Sequence, residues 1–153
     1  MANRMINPSL RWQRPQSLKS YPYAPNLDLI PRSPGIYIFY RKHGASFQVF
    51  YVGKALNLRR RLKGQLNNFK LMHGIKSAAN GARLLACGEI ALKPGQKAAS
   101  AIHAAEKLLI RHFVDEGHEL LNIQGIKLRL QTLRNERPAD LKKLLPVRTQ
   151  VEA

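Results

Sequence analysis

A single cysteine, Cys87, in 153 residues leaves no partner for an intramolecular disulfide and no pair for a cysteine zinc site. It sits in an apolar run with Leu84, Leu85 and Ala86, where a thiol serves as a small core hydrophobe, and this usage suits a reducing cytoplasm. No run approaches the roughly 18 apolar residues of a membrane-spanning helix, so no membrane role is expected. The first thirty residues contain Arg4, Arg11, Arg14 and Lys19 but no apolar segment of secretory length, so no export signal is expected either. Acidic residues are the other scarcity. Nine Asp and Glu stand against 26 Lys and Arg, a net charge of +17. Self-repulsion on that scale implies a polyanionic partner, and nucleic acid is the first expectation. A ribosome-associated protein would carry the same charge.

Proline is unevenly spread. Pro8, Pro15, Pro22, Pro25, Pro31 and Pro34 interrupt the first third of the chain, with Trp12, Tyr21 and Tyr23 between them. Residues 1–33 therefore read as a basic arm without regular structure, its aromatics packing on the domain or stacking on bases. Residues 34–125 form the expected domain and 126–153 a basic extension. Gly35 to Arg41 and Phe47 to Val52 are β-branched and aromatic, joined by the turn cluster His43-Gly44-Ala45-Ser46, and predict an antiparallel hairpin. Alternation puts Tyr37 and Tyr51 on one side if the register allows.

Asn57 is a good N-cap, and Leu58, Leu62, Leu66 and Phe69 at helical spacing predict one helix from Leu58 to Phe69. Its other faces are basic, through Arg59, Arg60, Arg61 and Lys63. A polar linker from His73 to Gly81 precedes a third, largely buried strand over Ala82 to Ile90. The longest helical pattern runs from Gln96 to Glu116, with Ile102, Ala105, Leu109 and Phe113 as its apolar stripe and Gly117 as its close. An alternating segment, IKLRLQTLR, follows, and Pro138 is expected to open a last helix through Leu145.

Glu106 lies beside the apolar stripe of the long helix, where a carboxylate needs a partner. That partner is a basic side chain or a metal ion, and a hard oxygen donor suits magnesium, which takes only one or two carboxylates and keeps its waters. Singly, a strand tyrosine reads as packing and an arginine run as a solvated face. The five histidines show no tight ligand spacing; His103 lies three residues before Glu106 and reads as an ordinary surface histidine.

The order of these pieces is more specific than any one of them. Gly35-Ile36-Tyr37, Tyr51-Val52-Gly53-Lys54, "NLRRRL" from Asn57 to Leu62, Glu106 within "EKLLI" and Asn122 within "LLNIQG" together resemble the GIY-YIG nuclease superfamily. The stretch "YVGKALNLRRRL" is similar to the amino-terminal nuclease domain of the incision subunit of bacterial nucleotide-excision repair. The resemblance covers residues 34–125. Valine stands for isoleucine in the second tripeptide, and extra residues from Asp115 to Glu119 precede Asn122.

What the resemblance implies is an α/β domain, a small three-stranded antiparallel sheet flanked by helices, that hydrolyses phosphodiester bonds in DNA with one magnesium or manganese ion. By position, Tyr37 and Tyr51 are the motif tyrosines, Lys54 the basic residue after the second, Arg61 the helix arginine, Glu106 the metal ligand and Asn122 the polar residue after the long helix. Gly53, Lys54, Asn57, Arg59, Arg60, Arg61 and Lys63 would face nucleic acid. Tyr37 would be the general base, although Tyr51 fits the role as well; the ordinary phenol pKa of roughly 10 requires a nearby cation, Lys54 or the metal, to lower it. RNA as substrate, and a protein partner or homodimer supplying specificity, stay open. The rival expectation is a non-catalytic nucleic-acid-binding module on the same fold, for which Glu106, repelling phosphate, has no use.

Overall fold

The computed structural model describes residues 7–121 and 131–151. It is a mixed α/β fold with three helices and a seven-stranded sheet. The hairpin is the centre of the site: β3 (Gly35–His43) pairs antiparallel with β4 (Ser46–Ala55), turning at Gly44, whose φ of 61° suits glycine. Tyr37 lies opposite Gly53 and Phe39 opposite Tyr51, after which the register shifts and Tyr40 faces Val49. That bulge lets the neighbours Phe50 and Tyr51 pack on the same side of the sheet as Tyr37.

The other edge of β3 takes β5 (Ala82–Ala91). Beyond β5 the arm departs from expectation. Instead of irregular chain, it supplies β1 (Ser9–Trp12) and β2 (Gln16–Leu18), both antiparallel to β5. The prolines flank these short strands rather than interrupting them. β6 (Gln131–Glu136) then runs parallel to β1, and β7 (Arg148–Val151) closes the order β4-β3-β5-β1-β6-β7, with β2 against β5 beside β1. The expected three-stranded sheet is thus the β4-β3-β5 part of a larger one. Trp12 anchors the extension, its buried indole donating to Asn135 Oδ1 at 3.0 Å.

The expected helix after Asn57 is two. α1 (Leu58–Gln65) ends, Asn68 caps a new start, and α2 (Phe69–Lys76) runs on into the stretch read as linker, taking it from His73 to Lys76. Asn57 and Asn68 each accept from a backbone N–H in the first turn they cap, at 3.1 and 3.2 Å. Phe69, placed by periodicity on the apolar stripe, is 72% exposed. α3 (Ala98–Asp115) follows its predicted course, and Gly117, with φ at 93°, ends it. No last helix forms after Pro138; one 3-10 turn, Ala139–Leu141, stands there.

The sheet separates two cores. Leu58, Leu62, Leu71, Met72 and Ile75 of α1 and α2 pack with Tyr37, Phe39 and Leu85 on one face. Ile102, Ala105, Leu109 and Phe113 of α3 pack with Ile36, Ile38, Tyr40 and Val52 on the other. Among the described strands β4 lies at the edge, so groups from both faces can meet around it. Among the described residues no helix is long and apolar enough to cross a membrane.

Candidate active site at the edge of β4

The two tripeptides meet through their glycine. Gly53 faces Tyr37 across the hairpin, and a Cβ at Gly53 would overlap the Tyr37 ring and hydroxyl. The glycine of the second motif therefore makes room for the tyrosine of the first. Gly35 is equally constrained, since a Cβ there would strike the Gly88 carbonyl on β5.

Tyr37 is fully buried, its ring stacked against Tyr51 with centroids 6.0 Å apart and planes 18° from parallel. Gln65, at the end of α1, donates from one amide nitrogen to both hydroxyls, at 2.8 Å to Tyr37 and 3.2 Å to Tyr51. The exposed guanidinium of Arg61, one turn earlier, also donates to both. Donors therefore surround the phenol oxygens, which favours phenolate, yet burial pushes Tyr37 up to about 12 against the pull of Gln65 and Arg61. The same contacts hold Arg61 above its usual value.

Glu106 reaches the edge of β4 from α3 on the opposite face. The Lys54 backbone N–H donates to its carboxylate, and burial raises its pKa while Lys54, Arg61 and Lys107 oppose that rise. The Lys54 ammonium lies 2.8 Å from His103 Nδ1. Desolvation, helped by Lys54 and Lys107, lowers the His103 pKa, so the neutral ring accepts that contact. Lys54 thus acts on Glu106 and His103, and the protein cation at the Tyr37 hydroxyl is Arg61 rather than Lys54.

Tyr37, Tyr51, Lys54, Arg61 and Glu106 therefore form one interacting group, drawn from β3, β4, α1 and α3. Asn122 lies outside the described residues. The other arginines divide by partner. Arg59 spends its guanidinium on the carbonyls of Ile30 at 2.8 Å and Asp28 at 3.2 Å, which ties α1 to the arm. Arg60 and Lys63 are exposed, and Arg60 lines a shallow cleft with Leu56, Asn57 and Arg61. Asn57 is occupied as the α1 cap.

Gln65 is the site residue that sequence reasoning passed over. It is 5% exposed, and its carbonyl oxygen accepts from Asn68 at 3.1 Å, which fixes the direction of the amide. Its lying three residues after Leu62 and four after Arg61 puts it on the same helix side as both, but that spacing does not show which groups its amide meets.

A cation at this edge would find one carboxylate. Among the described residues no three His, Cys, Asp or Glu side chains converge. One carboxylate is a donor set compatible with magnesium, which retains waters, and desolvation of Glu106 leaves a charge that a hard cation would stabilise. Comparison of the chain with family models, with curated proteins and with solved structures gave no match.

Proposed function

We propose that the chain is a divalent-metal-dependent endonuclease of the GIY-YIG type, hydrolysing phosphodiester bonds in DNA. The observation that carries this reading is the convergence of two tyrosines, an arginine, a lysine and a glutamate from four elements at one sheet edge. The ordered motifs in the sequence support it independently, as does the net charge of +17.

Glu106 would hold magnesium or manganese, which when bound supplies positive charge to the scissile phosphate and its leaving oxygen. Arg61 is a planar, permanently charged fork at the solvent side of the tyrosine pair, placed to neutralise charge growing on the phosphate. Tyr37 takes the proton of the attacking water. Burial pushes its pKa up to about 12, so before it can act as a base its own proton must pass to solvent as the positive charge of the bound cation arrives. Gln65 and Arg61 hold its oxygen as an acceptor. Tyr51, partly exposed and sharing both donors, is the alternative base.

The test uses supercoiled plasmid and labelled single-stranded, duplex and structured DNA and RNA, with magnesium or manganese, beside EDTA and Glu106→Ala controls. Cleavage by the wild type alone supports the enzyme. Binding without cleavage in either metal would leave a nucleic-acid-binding module.

A further inference from the structure

Phe69 is the most exposed aromatic side chain among the described residues, at 72%. Its ring stacks on His73, centroids 5.5 Å apart and planes within 16°. Phe69, His73 and Lys76 follow at i, i+4 and i+7, so they line one face of α2, with exposed Lys70 beside Phe69. At the C-terminal end of that face the Lys76 ammonium lies 4.6 Å from the centre of the Tyr21 ring, itself 36% exposed. Tyr21 and Tyr23, edge to face at 5.6 Å, line a cleft of about 560 Å³ with Lys19, Lys76 and Asn80. That volume lies within the roughly 300–1,000 Å³ of small-ligand sites. Arg83 lines it too but has committed its guanidinium to five carbonyls from Ile75 to Gly81, leaving it a fixed charge rather than a free donor.

The other end of the same helix adjoins the catalytic group. Asn68 caps α2 and donates to Gln65, which holds the two tyrosine hydroxyls. The face from Phe69 to Lys76 spans on the order of 10 Å at the helical rise, the length of a short stretch of strand.

We propose that this face of α2 and the Tyr21 cleft form a binding track for single-stranded nucleic acid, leading an unpaired segment away from the cutting site. An exposed ring beside cations is what unpaired bases use: every base has a face to stack, and the lysines take the phosphates whatever the sequence. Duplex bases are already stacked on each other and cannot occupy Phe69. The surface explains why Phe69 stands in water and why the arm, folded onto β5, presents its tyrosines beside Lys76. The direction of the track rests on the nuclease reading; binding of the strand does not.

The experiment is fluorescence anisotropy with the full chain in EDTA, on a fluorescein-labelled single strand of mixed sequence and on the blunt duplex made from it. Phe69→Ala and Tyr21→Ala are each expected to weaken single-strand binding roughly 5- to 100-fold and to leave duplex binding unchanged. Phe69→Trp is expected to restore it. Circular dichroism melting checks that each variant is folded. The track is overturned if either alanine variant binds the single strand as the wild type does, or if strand and duplex weaken by the same factor. Because no turnover is needed, strand binding with these dependences in a protein that never cuts would sink the nuclease reading alone. Cleavage with unaltered strand binding in the variants would sink the track alone.

Discussion

Gln65 Nε2 lies 2.8 Å from the Tyr37 hydroxyl, inside a site where both side chains are almost wholly withdrawn from solvent. The same nitrogen reaches Tyr51 at 3.2 Å, and Asn68 holds the amide oxygen. One side chain therefore sets the direction in which two phenol oxygens present their lone pairs. Buried and bonded to the two phenols, it acts through them, which makes it a positioning residue.

Replacing Gln65 with leucine keeps most of its volume and removes the donor. Arg61 still donates to Tyr37, so the phenol is not orphaned, and the stability loss should stay within about 1–3 kcal/mol. On the proposed nuclease reading, the expected result is a fall in kcat of roughly tenfold or more with KM for DNA nearly constant, because an interaction with the proposed base is lost while the binding surface is not. Single-turnover cleavage with a thermal melt checks it. A change in KM alone would assign Gln65 to substrate binding.

Glu106→Gln keeps an acceptor for the Lys54 N–H and removes the charge. Cleavage should drop by about 10^2-fold or more, as expected when a transition-state charge partner is lost. Binding to DNA in EDTA should hold or tighten, since a negative group leaves a basic surface. The melting temperature should not fall, because the carboxylate is destabilised by burial, as its raised pKa records. Loss of binding in parallel with cleavage would instead mark Glu106 as structural.

Adjacent arginines should behave differently. Arg60 is exposed beside Arg61, and Arg60→Ala should lower the slope of log affinity against log salt by about one, with no change in melting temperature. Arg59 holds the carbonyls of Ile30 and Asp28, so Arg59→Ala should lower the melting temperature by a few degrees and leave the salt slope nearly unchanged. Salt titrations of both variants decide it.

These contrasts locate what the chain makes legible. The hairpin could be read because alternation, β-branching and a turn cluster all agree over residues 35–52, and α3 because its stripe runs unbroken for five turns. The strands of the arm could not: β1 and β2 are four and three residues long and owe their existence to pairing with β5, some seventy positions away in sequence. The break between α1 and α2 was hidden by Leu66 and Phe69, which continue the apolar spacing through it. Within the site, the family resemblance carried by the ordered motifs named Tyr37, Tyr51, Lys54, Arg61 and Glu106, and also Asn122, which lies outside the described residues. Gln65 and the pairing of Lys54 with His103 depend on side-chain directions that spacing does not contain.

The histidines at the end of α3 give a pH prediction with a definite sign. His118 Nδ1 accepts the Val49 backbone N–H at 2.9 Å, joining the segment after α3 to β4. Desolvation lowers the His118 pKa, with Glu116 opposing and His112 assisting, and desolvation likewise lowers that of His112 against Glu116 and Asp115. A histidine with a depressed folded-state pKa binds fewer protons folded than unfolded, so stability rises with pH through that range. The contribution is whole above the unfolded value of about 6.5 and is lost as pH falls through the folded values. Melting temperature should therefore decline from pH 7.5 to about pH 5.5. In His118→Gln, which cannot take up a proton, the decline should be shallower, at the cost of a melting temperature lower by a few degrees at neutral pH if the Val49 N–H loses its acceptor. Melts of the wild type and this variant across the range check the sign: a wild-type melting temperature that rises on acidification would show that these rings are charged in the folded protein, and the Nδ1 acceptor would then be lost.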